Sequence, residues 1–147
     1  MCDGQDALAE IGDPFSGDDA GRLQFIGWQA ELGRQSVEEI GHALDRDIAK
    51  WRRTESEKKA VLSRVRTVDD LGALEAANIV IECVMEDLEL KTSIFQKLDQ
   101  VCPPEDILAT NTSSISICTL AGPLPHRERV LGMHFMNPVP LMKLVEV

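Results

Sequence analysis

No apolar stretch of this 147-residue chain approaches the ~20 residues that a membrane-spanning helix needs. The amino terminus lacks the basic start and the apolar stretch of a secretory signal, and it gives no support to a mitochondrial-matrix address. Positive charge is scarce. Fifteen Lys and Arg against 25 Asp and Glu leave a net charge of −10, which argues against a nucleic-acid or anionic-membrane surface made by the chain as a whole. Cysteine is limited to Cys2, Cys83, Cys102 and Cys118, with no C-x-x-C pair. That spacing argues against a disulfide or zinc framework and for reduced thiols in a cytoplasmic protein, with no metal site expected. What is present suffices for a core: 44% hydrophobic residues over about one domain's length, which argues against global disorder.

Residues 1–21 differ from the rest. Asp3, Asp6, Glu10, Asp13, Asp18 and Asp19 have no Lys or Arg among them, and Gly4, Gly12, Pro14, Gly17 and Gly21 punctuate the stretch. This composition predicts a solvated, disordered acidic tail. The remainder, 22–147, reads as one α/β unit. Leu23-Gln24-Phe25-Ile26 is a short apolar run that Gly27 stops, as in a buried strand.

A helical hairpin is predicted over 36–66. Val37, Ile40, Leu44, Ile48 and Trp51 fall three or four apart and form one apolar stripe over 36–51. Thr54-Glu55-Ser56-Glu57 fits a capping box, so a second helix should run over 55–66 with Val61, Leu62 and Val65 inward. The outer face carries Arg46, Lys50, Arg52, Arg53, Lys58, Lys59, Arg64 and Arg66. Isolated charges usually mark a solvated surface. Here an acidic chain gathers about half of its cations in one hairpin, which favours an anionic ligand.

Beyond Asp70 strands and helices alternate. Ile79-Val80-Ile81-Glu82-Cys83-Val84 is nearly continuous and β-branched, as in a strand covered on both faces. Leu90, Ile94, Leu98 and Val101 mark an amphipathic helix that Pro103-Pro104 ends. Strands are expected at 107–110 and 130–135, with a short helix over 115–121 between them and one more strand starting at Leu144. The fold class is therefore α/β: an incomplete Rossmann-like, mostly parallel sheet with an inserted helical hairpin.

Ligands of an open parallel sheet bind beyond the carboxyl ends of its strands. That rule selects Glu86-Asp87 with Lys91, Asn111-Thr112-Ser113-Ser114, and the segment from His134 to Asn137. A histidine near an apolar strand end is more often a packed residue than a catalyst. His134, however, closes its strand, Pro138-Val139-Pro140 follows as an extended turn, and Glu146 lies on the next strand. A carboxylate there orients an imidazole and stabilises it once protonated. Glu146 alone could equally be an edge-strand charge. Ser113 lacks the G-x-S-x-G context of a nucleophile elbow and reads as a hydrogen-bonding partner for a substrate hydroxyl. The alternative for the 111–114 cluster is an ordinary strand-to-helix turn with a capping residue.

These residues carry a resemblance. Asn111-Thr112-Ser113-Ser114, the run from Gly132 to Pro140, Met142-Lys143-Leu144-Val145-Glu146-Val147 and the run from Ile81 to Lys91 strongly resemble the 3-hydroxyacyl-CoA dehydrogenase family, and the likeness extends from about Val37 to Val147. It implies an NAD-dependent oxidoreductase of fatty-acid metabolism that oxidises a 3-hydroxyacyl thioester to the 3-oxoacyl thioester. By this resemblance His134 is the general base and Glu146 its partner. Ser113 contacts substrate and nicotinamide, with Asn137 nearby, while Glu86, Lys91 and Asn111 lie on the cofactor side. Lys50, Arg52 and Arg53 belong to the hairpin that helps hold coenzyme A, and Ala43 stands where a serine is often found.

The likeness has gaps. None of the ten glycines forms the family's G-x-G-x-x-G turn, and Gly27 stands where an acidic residue binds the adenosine ribose. The resemblance thus implies a chain shorter than the family at both ends, without its helical domain, that binds NAD weakly at best. An unfilled first-strand position beside 23–26 and 107–110 predicts open sheet edges and self-association, or pairing with an intact relative. Two alternatives stand beside the enzyme: a non-catalytic acyl-CoA-binding module, and an inactive gene or splice fragment.

Overall fold

The computed structural model describes residues 7–11, 23–27, 30–139 and 141–147, with side chains from residue 33 onward. The elements run β1 (Ala7–Ile11), β2 (Leu23–Gly27), α1 (Ala30–Ala49), α2 (Glu55–Leu62), β3 (Val65–Thr67), β4 (Ile79–Glu82), α3 (Leu88–Val101), β5 (Ile107–Thr110), α4 (Ile117–Ala121), β6 (Val130–Gly132), β7 (His134–Phe135) and β8 (Val145–Glu146). Short 3-10 helices lie at Leu71–Ala76 and Arg127–Arg129.

Six strands form one sheet in the order β3-β2-β1-β4-β5-β6, and β7 and β8 form a separate two-stranded ladder. The pairs β2–β3, β4–β5 and β5–β6 are parallel. β1 is the exception. It runs antiparallel to both neighbours, with Leu8 opposite Ile26 and Glu82, and Ile11 opposite Leu23 and Ile79. All other strands of this sheet therefore point one way, and their carboxyl ends share one edge.

Part of the predicted tail is thus a strand. Ala7-Leu8-Ala9-Glu10-Ile11, apolar at four of its five positions, fills the sheet's central place, although composition had assigned 1–21 to solvent. Residues 1–6 and 12–22 lie outside the described residues. The central place also lies between β2 and β4, not beside 107–110 as the resemblance implied.

The hairpin forms with shifted ends. α1 begins at Ala30 and stops at Ala49, so Trp51 leaves the helix at φ 58° and is 96% exposed instead of closing the apolar stripe. The capping box of α2 is present: Glu57 N–H donates to Thr54 Oγ1 at 3.2 Å, and Thr54 N–H donates to Glu57 Oε2 at 2.7 Å. α2 ends at Leu62 because Val65 and Thr67 pair with Leu23 and Phe25 in the sheet, a β-branched segment read as helix from its spacing alone.

The buried core lies on the other side of β1. Leu74, Ala77, Val80, Val84, Ile94, Phe95, Leu98, Cys102, Leu108, Leu120 and Leu124 pack as one cluster. Arg129 ties α3 to the approach of β6. It donates to Asp99 Oδ1 at 2.8 Å and to the carbonyl oxygens of Asp99 and Cys102 at 3.2 Å each. Among the described residues no helix is long and apolar enough to cross a membrane.

Candidate active site

β4 stops short of the predicted 79–84 because Glu82 turns its carboxylate back to accept the Val84 N–H at 2.5 Å. The chain then rises past exposed Met85 and Glu86, and Asp87 caps α3 by accepting the Leu90 N–H at 2.8 Å. Next to it β5 ends in the 111–114 loop. Thr112 Oγ1 accepts the Ile115 N–H at 2.9 Å, so the capping-turn reading of this loop is part of its structure.

Glu86 gathers that loop. Its Oε1 accepts from the Thr112 hydroxyl, and from Ser113 N–H, Ser114 N–H and Ser114 Oγ at 3.0 Å each. Partial burial alone would raise the Glu86 carboxyl. The Thr112 and Ser114 hydrogen bonds, with nearby Lys91, outweigh it and hold the group down at about 2.

The predicted strand 130–135 is split. Met133 N–H still donates to the Thr110 carbonyl at 2.9 Å, and the chain then leaves the sheet to pair with β8. Asn111 guides this exit by accepting the Phe135 N–H on its Oδ1 at 2.8 Å. Asn111, read as a cofactor ligand, thereby places β7. In the β7–β8 ladder His134 sits opposite Glu146. His134 Nδ1 is 3.2 Å from Glu146 Oε2, and Nε2 is 3.1 Å from Ser113 Oγ. An ionised carboxylate only accepts, so Nδ1 carries the proton in this arrangement, and the neutral ring presents Nε2 as an acceptor. Both side chains reach solvent, His134 at 26% and Glu146 at 62% exposure.

Asn137 stands exposed just before a turn in which Leu141 and Met142 N–H donate to the Pro138 carbonyl at 2.9 and 3.0 Å. Pro140, part of the expected turn, lies outside the described residues. Lys91, expected on the cofactor side, is 1% exposed and sits beneath the site. Lys50, Arg52 and Arg53 lie on the α1–α2 connection, on elements packed against β2 and β3 and not in this cluster. Arg52 and Arg53 face Asp47 at 3.9 and 3.5 Å, so part of their charge is answered internally. Cys83 is no nucleophile: burial, with Glu82 beside it, pushes its thiol up to about 11.

Sequence reasoning missed Glu82. The signal was present, a lone acid within an otherwise apolar, β-branched strand. It accepts Lys91 Nζ at 2.8 and 3.0 Å and the Thr110 hydroxyl at 2.7 Å, with no exposure of its own.

Residues 22–147 match the family model of the 3-hydroxyacyl-CoA dehydrogenase NAD-binding domain. The chain is similar to a probable 3-hydroxybutyryl-CoA dehydrogenase of Bacillus subtilis, 46% identical over 117 residues, covering 80% of this chain and 41% of that protein. It is 43% identical over 118 residues to the 3-hydroxyadipyl-CoA dehydrogenase of Escherichia coli, covering 80% of this chain and 25% of that protein. Among solved structures it resembles an Escherichia coli K12 3-hydroxybutyryl-CoA dehydrogenase, with TM-score 0.82, 38% identity, and coverage of 86% of this chain and 27% of that one. The chain therefore spans less than half the length of these relatives.

NAD, the cofactor of the matched domain, fits at one end only. Around Ser113, Glu86 and His134 an exposed hydroxyl, a carboxylate and an imidazole converge at the carboxyl edge of β4 and β5. At the central strand the fit fails. A dinucleotide pyrophosphate rests on the turn and helix N-terminus that follow a parallel central strand. β1 runs the other way, so its carboxyl end lies at the opposite edge.

Proposed function

This chain belongs to the 3-hydroxyacyl-CoA dehydrogenase family, and we propose that it presents the proton-transfer half of that activity to a 3-hydroxyacyl thioester. One observation supports this reading above the others: the His134 ring is held between Glu146 on Nδ1 and Ser113 on Nε2. His134 Nε2 takes the proton of the substrate 3-hydroxyl as the C3–O bond becomes a carbonyl. Glu146, hydrogen-bonded to Nδ1–H, stabilises the imidazolium that forms. Ser113 Oγ hydrogen-bonds the same substrate oxygen, and Asn137, two residues after Phe135, is the further polar group assigned to this role. NAD would supply the acceptor for the C3 hydride, and Glu86 and Ser113 are the residues of this site that would hold it.

Lys50, Arg52 and Arg53 are the cations offered to the coenzyme A phosphates, in competition with Asp47. The thiols of Cys83 and Cys118 accord with a reducing, cytoplasmic setting. Exposed Leu141, Met142, Leu144 and Val147 near β8 favour self-association or pairing with an intact relative.

The reversed β1 favours a second reading, a thioester-binding module without dinucleotide turnover. Calorimetric titration of the chain with acetoacetyl-CoA and with NADH separates the two. Thioester binding that weakens in H134Q and E146Q supports the proton-transfer site, and NADH binding as well supports the whole reaction. Thioester binding alone, indifferent to both variants, favours the module, and binding of neither ligand contradicts both readings.

A further inference from the structure

Lys91 and Glu82 are both fully buried, and Nζ donates to the Glu82 oxygens at 2.8 and 3.0 Å and to the Val84 carbonyl at 3.0 Å. Such a pair is a poor device for stability. Apolar replacements of similar volume are often neutral or stabilising, whereas loss of one partner alone strands a charge. The pair does, however, touch the site. Lys91 Nζ lies 3.6 Å from Glu86 Oε2, and the Glu86 side chain is 38% exposed. Glu86 Oε1 holds the backbone of Ser113 and Ser114, and Ser113 Oγ meets His134 Nε2. A continuous path thus leads from a buried charge to a surface hydroxyl.

We propose that Glu82 and Lys91 are positioning residues: the buried pair fixes Glu86 beneath the 111–114 loop and thereby sets the Ser113 hydroxyl against the His134 ring. The geometry explains the division of labour. Glu82, anchored by Thr110 Oγ1 and Val84 N–H, cannot turn outward, so it fixes where the ammonium stands. The ammonium then fixes one oxygen of a carboxylate that would otherwise swing in solvent, leaving the other oxygen for the loop. This deepens the function proposed above and rests on it for the roles of Ser113 and His134.

Two variants of the full chain test it without any ligand. In Glu82→Leu/Lys91→Met the ion pair is replaced by apolar side chains, and the melting temperature is expected to fall because the buried Thr110 hydroxyl and Val84 N–H lose their acceptor. In Glu86→Ala the pair stays and the relay is cut at an accessible position. Carboxyl and imidazole NMR read the outcome. The double variant should move Glu86 titration up from about 2 toward the ordinary carboxylate range. Both variants should shift the His134 Nε2 signal toward its value in Ser113→Ala. A folded double variant with Glu86 and His134 signals like the parent overturns the proposal. Should the double variant fail to fold, an unmoved His134 signal in Glu86→Ala overturns it by itself. Acetoacetyl-CoA binding is measured separately on the parent. Its absence would count against the functional reading while leaving both NMR results to decide the positioning role.

Discussion

The two sides of the reversed central strand are built on different terms. On one side β4, β5 and β6 run parallel over a closed core in which Leu74, Val80, Phe95, Leu98, Leu108 and Leu120 have no exposed surface. On the other side α2 buries no residue and the described part of α1 buries Leu44 among its large apolar side chains. That side is joined to the rest through the backbone ladders of β1, β2 and β3. The site belongs to the well-packed side. Glu86, Ser113, His134 and Glu146 all come from segments that leave β4, β5 or β6, whereas the basic residues offered to an anion sit on the looser side. Chemistry that depends on hydrogen bonds between side chains from separate elements requires such rigid support, whereas phosphate attraction by exposed cations tolerates more motion.

The sharpest way to break this comparison is to empty the core on each side. Phe95→Ala should cost ~3–5 kcal/mol, because a fully buried ring leaves a cavity. Arg129→Met, which leaves His126 as the remaining partner of the buried Asp99 carboxylate, should cost up to a similar ~3–5 kcal/mol. Ile48→Ala, half-buried on α1, should cost roughly 1–2 kcal/mol, since only part of its surface leaves water on folding. Urea unfolding measures all three, and equal costs on both sides would show that the hairpin shares the main core. A proline at Ala9, which pairs with Phe25 and Ile81, should loosen the sheet locally. Hydrogen exchange is then expected to quicken in β2 and β3 while the β5 amides stay protected. Loss of protection in β5 would mean that the site side depends on the reversed strand.

Acid gives a smaller, local effect. The Glu86 carboxyl sits at about 2, below its ordinary value of 4.5, so its anchoring of the loop is fully present above about 4.5 and is lost as pH falls toward 2. The Ser114 amide shift should therefore titrate near 2, and a transition near 4.5 instead would contradict the anchoring. The smallest effect belongs to the hairpin. Thr54→Ala removes the cap of α2 and should cost about 1 kcal/mol, seen by circular dichroism as fraying of one short helix with no change at His134.

Much of the site side was legible in the sequence because its signals are local. The β-branched runs at 79–82 and 107–110, the amphipathic spacing of α3 and the polar cluster after Thr110 each announce their element. The strand-end rule then brings Ser113 and His134 to one edge, and one ladder step brings Glu146 to His134. What was not legible depends on tertiary pairing. β1 hides in an acidic, glycine-punctuated stretch whose composition argues for solvent, and only the place between β2 and β4 makes it a strand. Val65 continues the helical spacing of Val61 and Leu62 until β2 claims it. Lys91 lies on an amphipathic helix with nothing local to mark it as buried, and its burial follows from Glu82, the lone acid in a strand covered on both faces.

The most direct test of the account is the tautomer of His134 in the ligand-free chain, read from the nitrogen shifts of the neutral imidazole. The Glu146 carboxylate on one side and the Ser113 hydroxyl on the other require a proton on Nδ1 and a bare Nε2 facing the cleft. A ring protonated on Nε2 instead would leave Glu146 with nothing to accept and the cleft with no base, and would contradict the proton-transfer role assigned to this site.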